Sequence, residues 1–132
     1  MKSHLPPKIF EDVRQIFYGT KTDEIALSSA TIERAKNSDV EVKHFRINSE
    51  KEENRDPRIV RVAAIQNKIV LPTTESVQKQ KQALMDRIKE IIEISVGEGA
   101  NIIALQEIWN APFFMCTRER YPWVEFAETY DG

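Results

Sequence analysis

Hydrophobic residues in the second half of the chain form two short runs on either side of a long amphipathic stretch. Residues 59–65 (IVRVAAI) are almost continuously apolar and rich in β-branched side chains, and residues 101–105 (NIIAL) form the second run. Such runs are typical of strands that are buried on both faces of a parallel sheet. The order strand, helix, strand predicts a βαβ unit with a right-handed crossover.

The stretch between the two runs has the periodicity of a helix. Thr73 or Thr74 is a candidate N-cap, and Glu75 suits the positive end of the helix dipole. Gly97 and Gly99 predict the end of this helix, because helices often stop at a residue in the left-handed conformation. The predicted apolar face consists of Val77, Leu84, Met85, Ile88, Ile91, Ile92 and Ser95.

The first half of the chain carries two further helical patterns. Residues 8–18 place apolar side chains at helical spacing and precede Gly19, which predicts a short amphipathic helix that ends there. A second helix is predicted from a cap at Thr22 or Asp23 to about Lys36, with a less regular apolar stripe.

A charged segment separates these helices from the apolar runs. Residues 40–47 predict a short extended piece, and residues 49–57 have the composition of a solvated linker. We therefore predict two parts. Residues 1–56 form an amino-terminal helical extension with its linker, and residues 57–132 form the start of an α/β domain.

Composition and charge exclude several classes of protein. The 132 residues are 41% hydrophobic and 30% charged, a balance typical of a globular domain. A net charge of -2 gives no basis for binding a nucleic acid or an anionic membrane. No apolar run approaches the roughly 20 residues that span a bilayer, and the start lacks the apolar region of a secretory signal. With a single cysteine as well, we expect a cytoplasmic protein.

The candidate site follows the second apolar run. Ligands of open α/β sheets bind beyond the carboxyl ends of the strands, and Glu107 comes two residues after Leu105. Partial desolvation there would favour the protonated carboxyl group and suit a general base. The structural alternative is that Glu107 caps a following helical turn or pairs with Arg118 or Arg120. Aromatic residues that suit the walls of a small-substrate pocket are Trp109, Phe113, Phe114 and Trp123.

Several segments resemble the nitrilase, or carbon–nitrogen hydrolase, superfamily. Residues 58–67 (RIVRVAAIQN) look like its first strand, and residues 101–114 (NIIALQEIWNAPFF) look like its glutamate motif. More narrowly, residues 113–128 (FFMCTRERYPWVEFAE) resemble the β-ureidopropionases, also called β-alanine synthases. Residues 4–19 resemble the amino-terminal extension of that branch, whereas residues 20–56 show hardly any likeness.

The resemblance implies a cysteine–lysine–glutamate catalytic set on an α-β-β-α sandwich. This chain would hold only the first βαβ unit of that sandwich, with an amino-terminal helical arm. In such enzymes a thiolate attacks the carbamoyl carbon, the glutamate transfers protons and the lysine stabilises the oxyanion, without an organic cofactor. Only the glutamate position falls within this sequence, at Glu107. The lysine and the nucleophilic cysteine are expected in sequence beyond Gly132.

Four other residues with reactive side chains are poor candidates. Cys116 lies nine positions after Glu107 with no local base to activate its thiol, and free cysteines are commonly small buried hydrophobic residues. His4 and His44 are 40 residues apart and lack metal-ligand spacing, so no metal site is predicted. Lys68 does not match the position of the family's lysine.

The function implied by the resemblance is hydrolysis of N-carbamoyl-β-alanine and similar ureido acids to β-alanine, ammonia and carbon dioxide, the last step of pyrimidine breakdown. The implied partners are the ureido acid and further copies of the protein, joined through the family dimer and the amino-terminal arm. One alternative is another nitrilase-family amidohydrolase, against which the likeness of residues 4–19 argues. A second alternative is a non-catalytic fragment that only associates with full-length subunits.

Overall fold

Helices alternate with short strands along the chain, and the computed structural model describes them in residues 5–19, 22–48, 53–112 and 123–130. β1 and β2 pair antiparallel, and β3 and β4 pair parallel, so the arrangement is mixed α/β, as predicted. The elements in chain order are α1 (Pro7–Tyr18), β1 (Asp23–Ile25), α2 (Ser29–Asn37), β2 (His44–Arg46), β3 (Val62–Ile65), α3 (Val77–Gly97), β4 (Ile102–Leu105) and a short 3₁₀ helix (Trp123–Phe126).

The unit β3–α3–β4 has the predicted βαβ order. The two strands pair in register, with Ile65 opposite Leu105. Helix α3 packs on one face of this pair, where Ile65, Ile88 and Ile91 form a buried apolar cluster. Half-buried Ile103 and Leu105 pack against the same cluster, so both strands contribute to it. The predicted βαβ unit is therefore confirmed.

Within the described residues the two strands are buried on one face only, which differs from the prediction of burial on both faces. Successive side chains of a strand point to opposite faces, and α3 covers only the face that carries Ile65 and Leu105. On the other face Val62 is 62% exposed and Ile102 is 54% exposed. Strand β3 is also shorter than predicted, because its ladder with β4 begins at Val62. Within the described residues this sheet has two strands and one covering helix, which leaves one face without cover.

Helix α3 begins later than the sequence predicts. Ser76 occupies the N-cap position, while Thr73 and Thr74 lie in the preceding turn. The reason is the buried side chain of Gln80, whose amide donates to the Thr73 carbonyl at 3.3 Å and to the Glu75 carbonyl at 2.6 Å. These bonds hold the turn folded back against the first helical residues, so the helix cannot start within it.

The end of α3 and most of its buried face follow the sequence pattern. The helix ends at Gly97, and Gly99 adopts the left-handed conformation with φ 83°. Met85 departs from the prediction because it is 52% exposed, and Ile94 is buried although it was not assigned to the apolar face. The buried residues of α3 are Gln80, Leu84, Ile88, Ile91 and Ile94.

The first predicted helix is confirmed, and the second starts elsewhere. α1 ends where Gly19, with φ 74°, donates its N–H to the carbonyl of Gln15. Residues 23–25 form strand β1, which pairs with β2 in the predicted extended segment. Ser28 therefore replaces Thr22 or Asp23 as the cap of α2, and its hydroxyl accepts the Thr31 N–H at 3.2 Å. None of the helices in the described ranges is long and apolar enough to cross a membrane.

Helix α2 is held antiparallel on α3, because the contacts between the two helices occur in opposite order along them. Thr31 and Ala35 are buried on α2, and the Thr31 hydroxyl lies close to Gly97 of α3. Three polar contacts run from the N-cap to the C-cap of α2: the Ser28 N–H to Glu98 at 2.9 Å, Arg34 to Glu93 at 3.2 Å, and the Ser38 hydroxyl to Glu90 at 2.5 Å.

The Glu98 contact predicts a pH-dependent contribution to stability. Hydrogen bonds from Ser28 and Thr31 hold the pKa of Glu98 below its usual range. A carboxyl group with a lowered pKa in the folded state stabilises the fold above its unfolded pKa. That stabilisation is lost as the pH falls through the folded value. We expect Glu98→Gln to lower the free energy of unfolding at pH 7 by about 1 kcal/mol, the usual size for a cap or a single hydrogen bond.

Urea unfolding of wild type and Glu98→Gln between neutral and acidic pH measures this effect. The difference between them should shrink below about pH 4, where a glutamate ordinarily becomes protonated. Glu93→Gln is the matched control, since it breaks an exposed ion pair and should cost less than about 0.5 kcal/mol. A difference between wild type and Glu98→Gln that is the same at both ends of the pH range would contradict the assignment.

The uncovered face of β3 and β4 predicts that the 132-residue chain self-associates when it is purified alone. Exposed strand edges and apolar faces pair between molecules. Val62 and Ile102 lie opposite each other, so the double variant Val62→Lys with Ile102→Glu places opposite charges across the pair and should shift the chain towards the monomer. Ile32→Lys is the control, because Ile32 on α2 is also 54% exposed. Light scattering after size-exclusion chromatography measures the oligomeric state of each variant. A monomeric wild-type chain would contradict the prediction.

Candidate functional site

The carboxyl ends of β3 and β4 lie side by side, because the two strands are parallel and in register. The segment after β3 carries Asn67, and the segment after β4 carries Gln106 and Glu107. Glu107 is therefore at the edge of the sheet where ligands of open α/β proteins bind. This edge is the candidate site.

The Glu107 side chain is exposed and begins a turn over residues 107–110. The expected partial desolvation is not present among the described residues. No helix follows Glu107 in the described residues up to Pro112, and Ile108 has φ 55°, so those residues give the helix-cap alternative no support. The alternative partners Arg118 and Arg120 lie outside the described residues, and no other described residue pairs with the carboxylate.

The backbone at Ile108 is unusual for its residue type. A left-handed conformation is disfavoured for residues with a side chain and is an outlier for a β-branched one. Such conformations cost about 1–3 kcal/mol and persist only where the surrounding structure imposes them. The turn that begins at Glu107 is therefore held by contacts on both of its sides.

One set of contacts joins Gln106 to the main chain of Asn67. The Asn67 N–H donates to the Gln106 side-chain oxygen at 3.2 Å, and the Gln106 side-chain amide donates to the Asn67 carbonyl at 3.1 Å. Both residues are half-buried. The amide group of Gln106 thus pairs with a peptide unit of the neighbouring segment, just past the last ladder pair of Ile65 and Leu105.

A second contact joins the other side of the turn to the same residue. The Asn67 side-chain amide donates to the Trp109 carbonyl at 3.3 Å. The Asn67 side-chain oxygen is buried, and no hydrogen-bond partner for it is found in the part of the chain that the structure describes. The half-buried Trp109 packs against the cluster of Ile65, Ile88 and Ile91, which ties the turn to the core.

The other residues of the predicted aromatic wall are only partly described. Trp123 begins the short 3₁₀ helix. Phe113 and Phe114 lie outside the described residues, as do Cys116 and His4. The predicted pocket around Glu107 therefore stays a prediction.

Lys68 points to a different part of the molecule. Its ammonium group pairs with Asp39 at 3.2 Å, and both side chains are exposed. The two residues line an open groove of about 780 Å³ between the end of α2, the segment after β3 and the outer side of α3. The groove mixes acidic and basic side chains, of which Arg87 and Glu90 pair at 2.7 Å, and Glu107 does not line it.

His44 packs against the junction of α2 and α3. Its Nδ1 atom lies 3.9 Å from a carboxylate oxygen of Glu98, and the pair is ionic only if the imidazole is protonated. Among the described residues, no group of histidine, cysteine, aspartate and glutamate side chains is placed to hold a metal ion.

The sequence pattern singles out Glu107 as the candidate but does not show the pairing of Asn67 with Gln106. Their signal was present as two amide side chains that follow the ends of two predicted neighbouring strands. Whether an amide at the end of one strand reaches the main chain after the neighbouring strand depends on the register of the two strands. The structure supplies that register.

Comparison with known proteins agrees with the segment resemblance. No family model matches the chain. A beta-ureidopropionase from Arabidopsis thaliana is 36% identical over 136 aligned positions, and the alignment covers the whole of this chain. The resemblance to the β-ureidopropionases is confirmed. The chain spans about a third (33%) of the length of that relative, which is consistent with an amino-terminal portion.

The likeness to a β-ureidopropionase extends beyond the two motifs. Because the alignment covers the whole chain, it also runs through residues 20–56, where the sequence by itself shows hardly any likeness. These residues include α2, which packs on α3 through Glu98 and Glu90.

Proposed function

We propose that the chain is part of a hydrolase that cleaves N-carbamoyl-β-alanine and similar ureido acids to β-alanine, ammonia and carbon dioxide. The observation that carries this proposal is the similarity of the whole chain to a β-ureidopropionase. The position of Glu107 at the carboxyl edge of β3 and β4 supports it, because the family resemblance assigns the catalytic glutamate to this residue.

In the proposed reaction Glu107 acts as general base and then as general acid. It takes the proton from the nucleophilic thiol as the sulfur bonds to the carbamoyl carbon, and it returns a proton to the nitrogen whose C–N bond breaks. Water then hydrolyses the S-acyl intermediate and frees the thiol, with Glu107 taking the proton from that water. An exposed carboxylate without an ion-pair partner among the described residues is free to accept a proton from a substrate-bound group. The family's lysine and cysteine would come from sequence that this chain does not contain, and no organic cofactor takes part.

The uncovered sheet face supports a larger fold around this unit. We infer that further strands pair with β3 and β4 and that a second sheet packs on the face of Val62 and Ile102, as in an α-β-β-α sandwich. Val62 is 62% exposed there and Ile102 is 54% exposed. The proposal includes further copies of the protein as partners and the cytoplasm as the location. α1 has an apolar side and no buried residue, which fits an arm that packs on another subunit.

A non-catalytic role is the second candidate. It would make the 132-residue chain a fragment that only associates with full-length subunits, and the exposed sheet face favours such association. The 132 residues by themselves are expected to release no ammonia from N-carbamoyl-β-alanine, because the resemblance assigns only Glu107 of the family's catalytic set to them. If the 132-residue chain did turn over this substrate and Cys116→Ser abolished that activity, Cys116 would be the nucleophile.

The test of the proposed function is Glu107→Gln in a full-length protein that contains this segment. Glutamine keeps the size of the side chain but cannot accept a proton, so we expect kcat to fall by at least 10²-fold, the lower end of general acid–base contributions of about 10²–10⁴-fold. The melting temperature should hardly change, because the side chain is exposed.

Substrate comparison separates this function from its nearest alternative. Wild type should prefer N-carbamoyl-β-alanine, whereas another nitrilase-family amidohydrolase would prefer a simple aliphatic amide or an N-carbamoyl α-amino acid. A kcat within a few fold of wild type for Glu107→Gln, with a sharply lower melting temperature, would make Glu107 a structural carboxylate.

A further inference from the structure

Asn67 holds the chain on both sides of Glu107. Its main-chain N–H and carbonyl pair with the Gln106 amide at 3.2 and 3.1 Å, and its side-chain amide donates to the Trp109 carbonyl at 3.3 Å. Gln106 immediately precedes Glu107, and Trp109 follows it by two residues. A single residue of the segment after β3 thus fixes the chain before and after the candidate catalytic carboxylate.

These bonds oppose the strain at Ile108. A left-handed β-branched residue relaxes to an ordinary conformation unless its neighbours prevent it. Next to the turn over residues 107–110, the Ala111 N–H donates to the Ile108 carbonyl over a long distance of 3.4 Å. The bonds to Asn67 and the packing of Trp109 on the core therefore set the direction in which Glu107 leaves the sheet.

We propose that Asn67 and Gln106 are positioning residues for Glu107, which set where its carboxylate lies relative to the substrate. The inference rests on the proposed function. Neither residue is proposed to touch the reacting atoms. Each holds the main chain next to Glu107 with its side-chain amide. Proton transfer requires heavy atoms within hydrogen-bond reach, and a misplacement of about 1 Å can cost roughly 10²-fold in rate. Their loss should therefore lower kcat more than it changes KM.

The chain offers a matched control for a purely structural role. The side-chain amide of Gln80 also holds a turn, since it donates to the main-chain carbonyls of Thr73 and Glu75. Gln80 is more deeply buried than Gln106. It lies at the start of α3, outside the turn that carries Glu107. Gln80→Leu should lower the melting temperature and leave kcat within about twofold of wild type.

The experiment uses a full-length protein that contains this segment, assayed with N-carbamoyl-β-alanine. Gln106→Leu removes both bonds to the Asn67 main chain, and Asn67→Ala removes the bond to Trp109 while keeping those of Gln106. Each variant should lose on the order of 10-fold or more in kcat, with KM within about threefold of wild type. The double variant should approach the loss produced by Glu107→Gln. If Gln106→Leu does not fold, Asn67→Ala alone carries the test.

The outcomes separate the two proposals. A wild-type protein without ureido acid hydrolysis, or an active Glu107→Gln variant, would overturn the proposed function and the positioning role with it. If Glu107→Gln is inactive but Gln106→Leu and Asn67→Ala both keep kcat within about twofold of wild type, only the positioning role is overturned. An equal loss of kcat in Gln80→Leu would also overturn it, because general destabilisation would then explain the effect.

Discussion

Burial of α3 against Ile65 is the contact on which the rest of the structure depends. β3 and β4 have four residues each, too few for a stable pair without apolar cover. Ile88 and Ile91 provide that cover and keep both strands on one side of the helix. Glu90 on this helix and Glu98 at its C-cap contact the two ends of α2. With the strands fixed in register, the segments that leave their carboxyl ends become neighbours, and the candidate site follows from that.

The sequence predicted the elements whose pattern is long and regular. The periodicity of α3, the glycine after α1 and the two apolar runs all correspond to observed elements, because each depends on local residues. The start of α2 was misplaced, since β1 forms only by pairing with β2, more than fifteen residues away. The start of α3 was misplaced because the deciding contact is a side-chain bond from Gln80 back to Thr73. Neither the pairing of distant strands nor a side-chain bond to a preceding turn appears in the periodicity of apolar residues.

In the candidate site, too, some features follow from the local sequence and others only from the folded structure. Glu107 was identified from its place after an apolar run and from the resemblance of the surrounding motif. The pairing of Asn67 with Gln106 depends on strand register, which the sequence does not state. The left-handed conformation of Ile108 runs against its residue type and results from the contacts around it. The sequence thus supplied Glu107 as the candidate, whereas the structure shows the contacts that hold the chain on either side of it.

In the proposed function, proton transfer depends on the position of the Glu107 carboxylate at the edge of β3 and β4, and not only on its charge. Glu107→Asp in a full-length protein that contains this segment keeps the charge and withdraws the carboxylate by one methylene. The measurement is kcat for N-carbamoyl-β-alanine beside the melting temperature. We expect a loss on the order of 10²-fold in kcat, because catalysis is that sensitive to placement, with an unchanged melting temperature. A kcat equal to that of wild type would contradict it.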